Sequence, residues 1–306
     1  MTGGAGFIGS HVVDSLLADG YGVTVIDDLS SGKASRVAGG ARLVELDIVD
    51  GAAVGQVVRE VGPEAVYHLA AQASVVASVE DPGRDCDVNV RGTLNVVAAT
   101  NGLGAPVVFT STGGALYGDE APMPTSEERE PAPLSPYGAA KWAGESYVKT
   151  WGLAHDVPNA VMRLGNVYGP RQSPHGEAGV VAIFTHKLYT GERPTLYGHG
   201  RPTRDYVYVG DVVSALRAAA ASGRRGTYNV ATGVETDVLS VWRELSQAAG
   251  VDIEPELADL REGELEHSCI DAGRAERELG WRPQMSIADG LRATYEALVR
   301  EFDQAG

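Results

Sequence analysis

The sequence predicts an α/β protein, a doubly wound parallel sheet followed by a smaller and less regular α/β lobe. Three observations predict it. Short β-rich runs ("GVTVID", "ARLVELD", "EAVYHLA", "APVVFTS") alternate with helix-length amphipathic stretches through the first half, the pattern of parallel strands joined by crossover helices. A glycine-rich turn, Gly3, Gly6 and Gly9 in "MTGGAGFIGSH", runs straight into a helix pattern, as an anion-binding helix N-terminus does. Beyond "NAVMRLGNVYGPRQ" the alternation loosens into a Gly/Pro/His segment, short strands at "PTLYG" and "RDYVYV", and several helical runs. The expected boundary gives one domain over residues 1–165 and a lobe over 166–306, with some chain crossing back to the first domain.

Composition narrows the partners. With 306 residues, 43% of them hydrophobic, the chain can build a full core. No apolar run approaches the roughly 18 residues of a membrane span, and no charged-then-apolar leader precedes the glycine turn, so a cytoplasmic protein away from membranes is expected. A formal charge of −16 speaks against a phosphate-backbone surface, and nucleic acid is not an expected partner. Cys86 and Cys269 lack companion Cys or His spacing. They read as two reduced thiols, with neither a disulfide framework nor a metal site.

Taken in order, the elements place the chemistry. The turn has G-x-x-G-x-x-G spacing, unlike the commoner G-x-G-x-x-G, but the same work to do: a tight turn, close backbone approach to a pyrophosphate, and a helix N-terminus. After the helix "SHVVDSLLADG", the strand "GVTVID" ends on Asp27. A carboxylate there accepts both hydroxyls of an adenosine ribose and repels a 2′-phosphate, which favours NAD over NADP. The stretches Cys86–Thr100 and Tyr137–Trp151 carry apolar residues at three-to-four spacing and read as helices. On the second, Tyr137 and Lys141 lie one turn apart on one face. An ammonium so placed is expected to lower the phenol from its usual value of about 10 and make it a general acid/base. Twelve tyrosines and four lysines give about 0.16 such pairs by chance, so the pair gains its weight from what precedes it: glycine turn, strand-end aspartate, then a β-run ending "TST".

In that order, and together with "HLAAQ", "NVRGT", "LSPYGAAK", "NVYGPRQ", "RDYVYVGDV" and "ELGWRP", these features resemble the extended short-chain dehydrogenase/reductase family, most closely its nucleotide-sugar branch, the UDP-glucose (UDP-galactose) 4-epimerases. The resemblance covers nearly the whole chain. It implies a Rossmann-type first domain that binds NAD, a substrate lobe that binds a UDP-sugar, and a homodimer formed through the helices at about 85–101 and 135–155. It makes Gly3, Gly6, Phe7, Ile8, Gly9, Asp27, Asp28, Ser31 and Gly32 cofactor-binding residues, with the glycines at the pyrophosphate and Asp27 at the adenosine ribose. Asp47 and Ile48 would flank the adenine, Leu69, Ala70, Ala71 and Gln72 would form the loop under pyrophosphate and ribose, and Asn89 would lie near the active site. Leu164 would sit by the nicotinamide, where the prototype has an aromatic residue. Thr112, Tyr137 and Lys141 become the catalytic group, with Ser111 and Thr112 on the sugar. Asn166, Val180, Thr195 and Tyr197 become nucleotide contacts, Arg204 and Arg261 diphosphate ligands, and Glu264 the acid on the uridine ribose.

One segment separates branches of the family. Related 4,6-dehydratases carry Asp-Glu where Gly113 and Gly114 stand in "TSTGGALYG", because they protonate a leaving hydroxyl and abstract a second proton. An epimerase needs one acid/base and a hydride carrier. The implied reaction is oxidation at carbon 4 of a UDP-hexose, turning of the 4-keto sugar, and return of the hydride to its other face. Ser268 stands where some relatives place a bulky tyrosine, so N-acetylated UDP-sugars are expected to fit. The alternatives are another enzyme of the family, acting on UDP-glucuronate or a dTDP- or GDP-sugar, and a non-catalytic NAD sensor.

The family places a hydrophobic strand ahead of the glycine turn, where this chain has only Met1 and Thr2. That strand would lie between the one ending at Asp27 and the one at "AVYHLA". The Ala-, Gly-, Arg- and Val-rich composition fits GC-rich coding, in which a valine codon can serve as a start. The expectation is a natural start roughly 5 to 8 residues earlier, about one strand's length. In the chain as it stands, a slot is expected in the sheet and a glycine turn tethered on one side only.

Overall fold

The computed structural model describes residues 1–175, 179–261 and 265–305. The first domain runs α1 (Phe7–Ala18), β1 (Thr24–Asp27), β2 (Arg42–Glu45), α2 (Gly51–Val61), β3 (Val66–His68), α3 (Val75–Glu80) and α4 (Pro82–Cys86). From α4 a wide π turn over Asp87–Gly92 leads into α5 (Thr93–Ala99), then β4 (Val107–Thr112), α6 (Pro136–Ala154) and β5 (Ala160–Leu164). The chain continues through β6 (Asn166–Tyr168), α7 (Val180–Thr190), β7 (Thr195–Leu196), β8 (Thr203–Arg204), β9 (Tyr206–Tyr208) and α8 (Val209–Ser222). It ends with β10 (Gly226–Val230), β11 (Thr236–Asp237), α9 (Val238–Ala249), β12 (Glu256–Leu257), α10 (Gly273–Leu279) and α11 (Ile287–Ala305).

The main sheet is parallel and reads β2, β1, Thr2 alone, β3, β4, β5, β10 from edge to edge. Successive strand residues point to opposite faces, and both faces are covered. Val25, Val108 and Met162 pack under Val12, Val13 and Leu16 of α1 and Val212 and Leu216 of α8. Ile26, Val107, Phe109 and Val161 pack under Val54 and Val58 of α2, Val96 and Val97 of α5, and Val148 of α6. A third core, including Tyr168, Phe184, Leu196, Tyr206, Trp242 and Leu291, holds the later lobe together. Strand β10 leaves that lobe and pairs with β5 in the main sheet. No helix among the described residues is long and apolar enough to cross a membrane.

Where a first strand would lie, Thr2 bridges Ile26 on one side and His68 on the other. An apolar cleft lined by Met1, Thr24, Ile26, Val58, Val66 and Val96 among others lies beside it. The expectation of one-sided tethering is corrected. Ile26 N–H donates to Met1 O and Gly3 N–H to Ile26 O, both at 2.9 Å, while Thr2 N–H donates to Tyr67 O at 2.9 Å and Leu69 N–H to Thr2 O at 3.1 Å. In extended chain, alternate residues bond opposite neighbours, so even three residues reach both sides.

Candidate active site

The turn after Thr2 leaves no room for side chains. Gly3 has φ +72°, and a Cβ on it would lie 2.5 Å from Ala70 N; one on Gly9 would lie 2.0 Å from Gly3 O. Phe7 and Ile8 open α1, whose N-terminus has no side-chain cap and no acid in its first turn, leaving N–H groups and the positive dipole end for an anion. Asp27, 7% exposed, ends β1 against this turn. Its carboxylate accepts the N–H of Ala5 at 2.9 Å and of Leu29 at 3.0 Å. Gly32 packs against Ala5 and Asp27. Asp28 and Ser31 are exposed at the lip, Asp28 accepting from the N–H and hydroxyl of Ser30.

The cradle continues on the neighbouring loops. Asp47 accepts from Val49 N–H and from Arg84 at 3.0 Å; burial pushes its carboxyl up, but these bonds and the charge of Arg84 outweigh it and hold it low. The Ile48 side chain is buried in the second core against Gly92. Leu69 packs on the first core, and Ala70 N–H donates to the Thr2 hydroxyl at 3.2 Å. Ala71 is half-buried. Asn89, inside the π turn, accepts from Gln72 N–H at 3.1 Å and donates to Gln72 O at 2.8 Å. Asp85 ties the pair together, accepting from Gln72 Nε2 at 2.8 Å and Asn89 Nδ2 at 2.9 Å. A glycine cradle that a Cβ would fill, an uncapped helix N-terminus and a strand-end carboxylate fit a dinucleotide such as NAD.

Helix α6 starts where Ser135 Oγ accepts the N–H of Gly138 at 3.2 Å and Pro136 sets the first turn. Tyr137 lies at the mouth, half-buried; Lys141 is buried, its ammonium 4.3 Å from the centroid of Phe109. The expected lowering of the phenol is corrected. In the protein alone burial takes Tyr137 up to about 12, with Asp85 pushing the same way. Burial also takes Lys141 down to about 8, against the opposing charges of Glu145 and Asp85. Desolvation drives both groups toward neutrality, and it acts on the whole surroundings rather than on a four-residue spacing. At the end of β4, Thr112 Oγ1 accepts from Ala115 N–H at 3.2 Å, and the buried Ser111 hydroxyl has no partner among the described residues. Leu164, ending β5, is buried in the first core. A Cβ on Gly113 would meet Ile270 Cδ1 at 2.4 Å, whereas one on Gly114 would make only ordinary contact with Asn166.

The substrate-end residues lie on the later lobe. Asn166 N–H donates to Asp205 O at 2.7 Å. Val180 opens α7. Thr195 donates to Glu256 at 3.4 Å across the β7–β12 pair. Arg261 stacks on the ring of Tyr197 at 3.6 Å, a cation–π contact that brings two expected ligands together. Arg204 donates to Thr203 O at 2.8 Å. Glu264 lies outside the described residues. A cleft lined by His199, Arg201, Asp259, Glu266 and His267 opens beside them.

Sequence reasoning missed several polar groups. Tyr206, two residues after Arg204, is 5% exposed and its hydroxyl has no partner among the described residues. Asp85 is one helical turn before Asn89, and Glu145 one turn after Lys141, spacings that were readable. Arg163 and Asp205 carry no local signal.

Glycine cradle, strand-end acid and helix-borne Tyr–Lys pair define a dinucleotide-dependent enzyme of the extended short-chain type. The profile of the NAD dependent epimerase/dehydratase family matches residues 1–231, and the chain belongs to that family. It is 46% identical to the UDP-glucose 4-epimerase of Mycolicibacterium smegmatis over 303 residues, 97% of this chain and 96% of that one. Among solved structures it is similar to the UDP-glucose 4-epimerase of Thermotoga maritima with UDP-glucose, at 43% identity and TM-score 0.96 over 98% of both chains. It is also similar to the UDP-glucose 4-epimerase of Thermus thermophilus in complex with NAD, at 43% identity and TM-score 0.90, covering 98% of this chain and 97% of that one.

Proposed function

We propose that the chain is an NAD-dependent UDP-hexose 4-epimerase interconverting UDP-glucose and UDP-galactose, working in the cytoplasm. The observation that carries this choice within the family is the end of β4. Gly113 and Gly114 carry no side chain that could protonate a leaving hydroxyl, and Tyr137 with Lys141 is the acid/base pair that remains for the chemistry. Bound NAD supplies the hydride carrier and, when oxidised, a positive ring charge. Tyr137 holds and returns the proton at the sugar's 4-oxygen, and Thr112 Oγ1 orients that oxygen. Lys141 sets the charge around the phenol. Arg204, Arg261 and the Tyr197 ring hold diphosphate and base, which leaves the sugar free to turn. The glycine turn, Asp27 and the Gln72–Asn89 loop retain the cofactor through the cycle.

The half-buried Ser268 supports a second substrate, UDP-N-acetylglucosamine. Exposed Tyr147 and Leu153 on α6 support a homodimer through the helices at about 85–101 and 135–155, which light scattering at micromolar concentration tests. The test of function is to denature the purified protein, identify the released dinucleotide, and follow UDP-hexose interconversion. NAD and equilibration of UDP-glucose with UDP-galactose are expected; NADP, or no equilibration, overturns the reading.

A further inference from the structure

Asp205 stands between Arg204 and Tyr206, is 1% exposed, and has no part in the chemistry above. Its carboxylate gathers five donors from two distant segments. Oδ1 accepts from the N–H of Thr232 at 2.8 Å and from its hydroxyl at 2.6 Å. Oδ2 accepts from the N–H of Gly233 at 2.9 Å, the N–H of Ile270 at 3.3 Å and the thiol of Cys269 at 3.6 Å. Its backbone C=O accepts the N–H of Asn166.

Residues 268–270 are also held on their other side, where Ile270 packs with Tyr117 and Ala231 and Asp271 N–H donates to Thr125 O at 2.9 Å. Ile270 forms a lone bridge to Thr125, with Thr125 N–H donating to Cys269 O at 3.0 Å. From there the contacts lead to the reacting end of the sheet, because the Ile270 side chain fills the space beside Gly113, next to Thr112. Asp205 therefore links the lobe that carries Arg204 to the end of β4 through Ile270. A carboxylate suits five donors because it accepts only; an amide of the same shape would turn its NH₂ against one set of them.

We propose that Asp205 is a positioning residue of the sugar pocket, holding the wall formed by residues 268–270 against Gly113. This rests on the UDP-sugar site assigned above. The test is Asp205→Asn, with Thr232→Val as its control. In Asp205→Asn, KM for UDP-glucose is expected to rise about tenfold or more while kcat stays within about threefold, with NAD content unchanged. Titration with a chromogenic disulfide reagent reads the segment independently of activity. The wild type should show one readily reacting thiol, the exposed Cys86, and Asp205→Asn two, because Cys269 is released. Thr232→Val removes one donor to Oδ1 and the acceptor of the exposed Val234 N–H, leaves the donors to Oδ2, and should keep one reactive thiol and the wild-type KM.

The proposal is overturned if Asp205→Asn keeps KM within about twofold with one reactive thiol, or if Thr232→Val reproduces its effects. A wild type that equilibrates no UDP-hexose sinks the assigned function alone, and the thiol count still decides the role of Asp205. Should Asp205→Asn not accumulate folded, hydrogen exchange on the wild type decides: protected amides at Gly233 and Ile270 support the role, and exchange as fast as an exposed loop overturns it.

Discussion

Arg163 grips both carboxylate oxygens of Glu145, through Nε at 2.9 Å and Nη2 at 2.7 Å, one helical turn beyond Lys141. Both side chains are buried, and Arg163 also donates to Tyr117 Oη at 2.8 Å. The pair fastens the catalytic helix α6 to β5. Removing one partner strands the other charge in the core, which costs about 3–5 kcal/mol. Arg163→Met is expected to lose that much in urea unfolding, and Glu145→Met with Arg163→Met together to recover most of it. A single-substitution loss under about 1 kcal/mol would contradict the assignment.

Tyr137→Phe removes the hydroxyl proposed to carry the proton and leaves the ring. Turnover should fall by about 10²–10⁴-fold, while the dinucleotide released on denaturation stays at the wild-type amount. Turnover within a few fold of wild type would show that another group moves the proton.

His68 should shape acid stability. Its Nδ1 lies 2.7 Å from Thr2 Oγ1 and its Nε2 3.0 Å from Thr93 Oγ1. The Thr93 hydroxyl donates to Asn89 O at 2.7 Å, so it accepts from Nε2–H, and Nδ1 accepts from Thr2. The bond from Thr2 needs the neutral ring, because a protonated Nδ1 cannot accept. Burial takes His68 down to about 3, with the charge of Lys141 pushing the same way. The unfolded chain takes up this proton near 6.5 and the folded protein only near 3. Between those values the unfolded state holds more protons, so stability falls as pH drops through 6.5 toward 3, by up to about 1.4 kcal/mol per pH unit. His68→Asn should flatten that fall in denaturation midpoints taken across the window. An unchanged slope would mean the ring is not kept neutral.

Gly9→Ala forces a methyl to within 2.0 Å of Gly3 O, and the turn has to open. The purified variant is expected to carry little NAD. Gly22→Ala, where the added methyl meets open space, should carry the wild-type amount. Equal NAD content in both would place the cofactor elsewhere.

Much of the site was legible because its signals are local. The glycines at positions 3, 6 and 9, the aspartate ending β1, and the Tyr137–Lys141 spacing each lie within one element or one turn, and such spacings survive in one dimension. Arg163 acquires its meaning from Glu145 on another element, and Asp205 from Thr232 and Ile270. Those partners are far along the chain, and no periodicity connects them. Tyr206 reads as an ordinary strand tyrosine until its buried hydroxyl is found without a partner among the described residues.

By itself, then, the sequence determined the alternating α/β plan, the glycine turn that opens a helix, the aspartate ending β1 and the one-turn spacing of Tyr137 and Lys141. Tertiary structure decided the rest: that Met1 to Gly3 tie the turn to both β1 and β3, that Ile270 closes the space beside Gly113, and that Tyr137 is raised rather than lowered. The division has one physical cause. Helix and strand periods act between near neighbours in the chain, whereas desolvation and close packing depend on what surrounds a group from every side, and only the folded arrangement sets that.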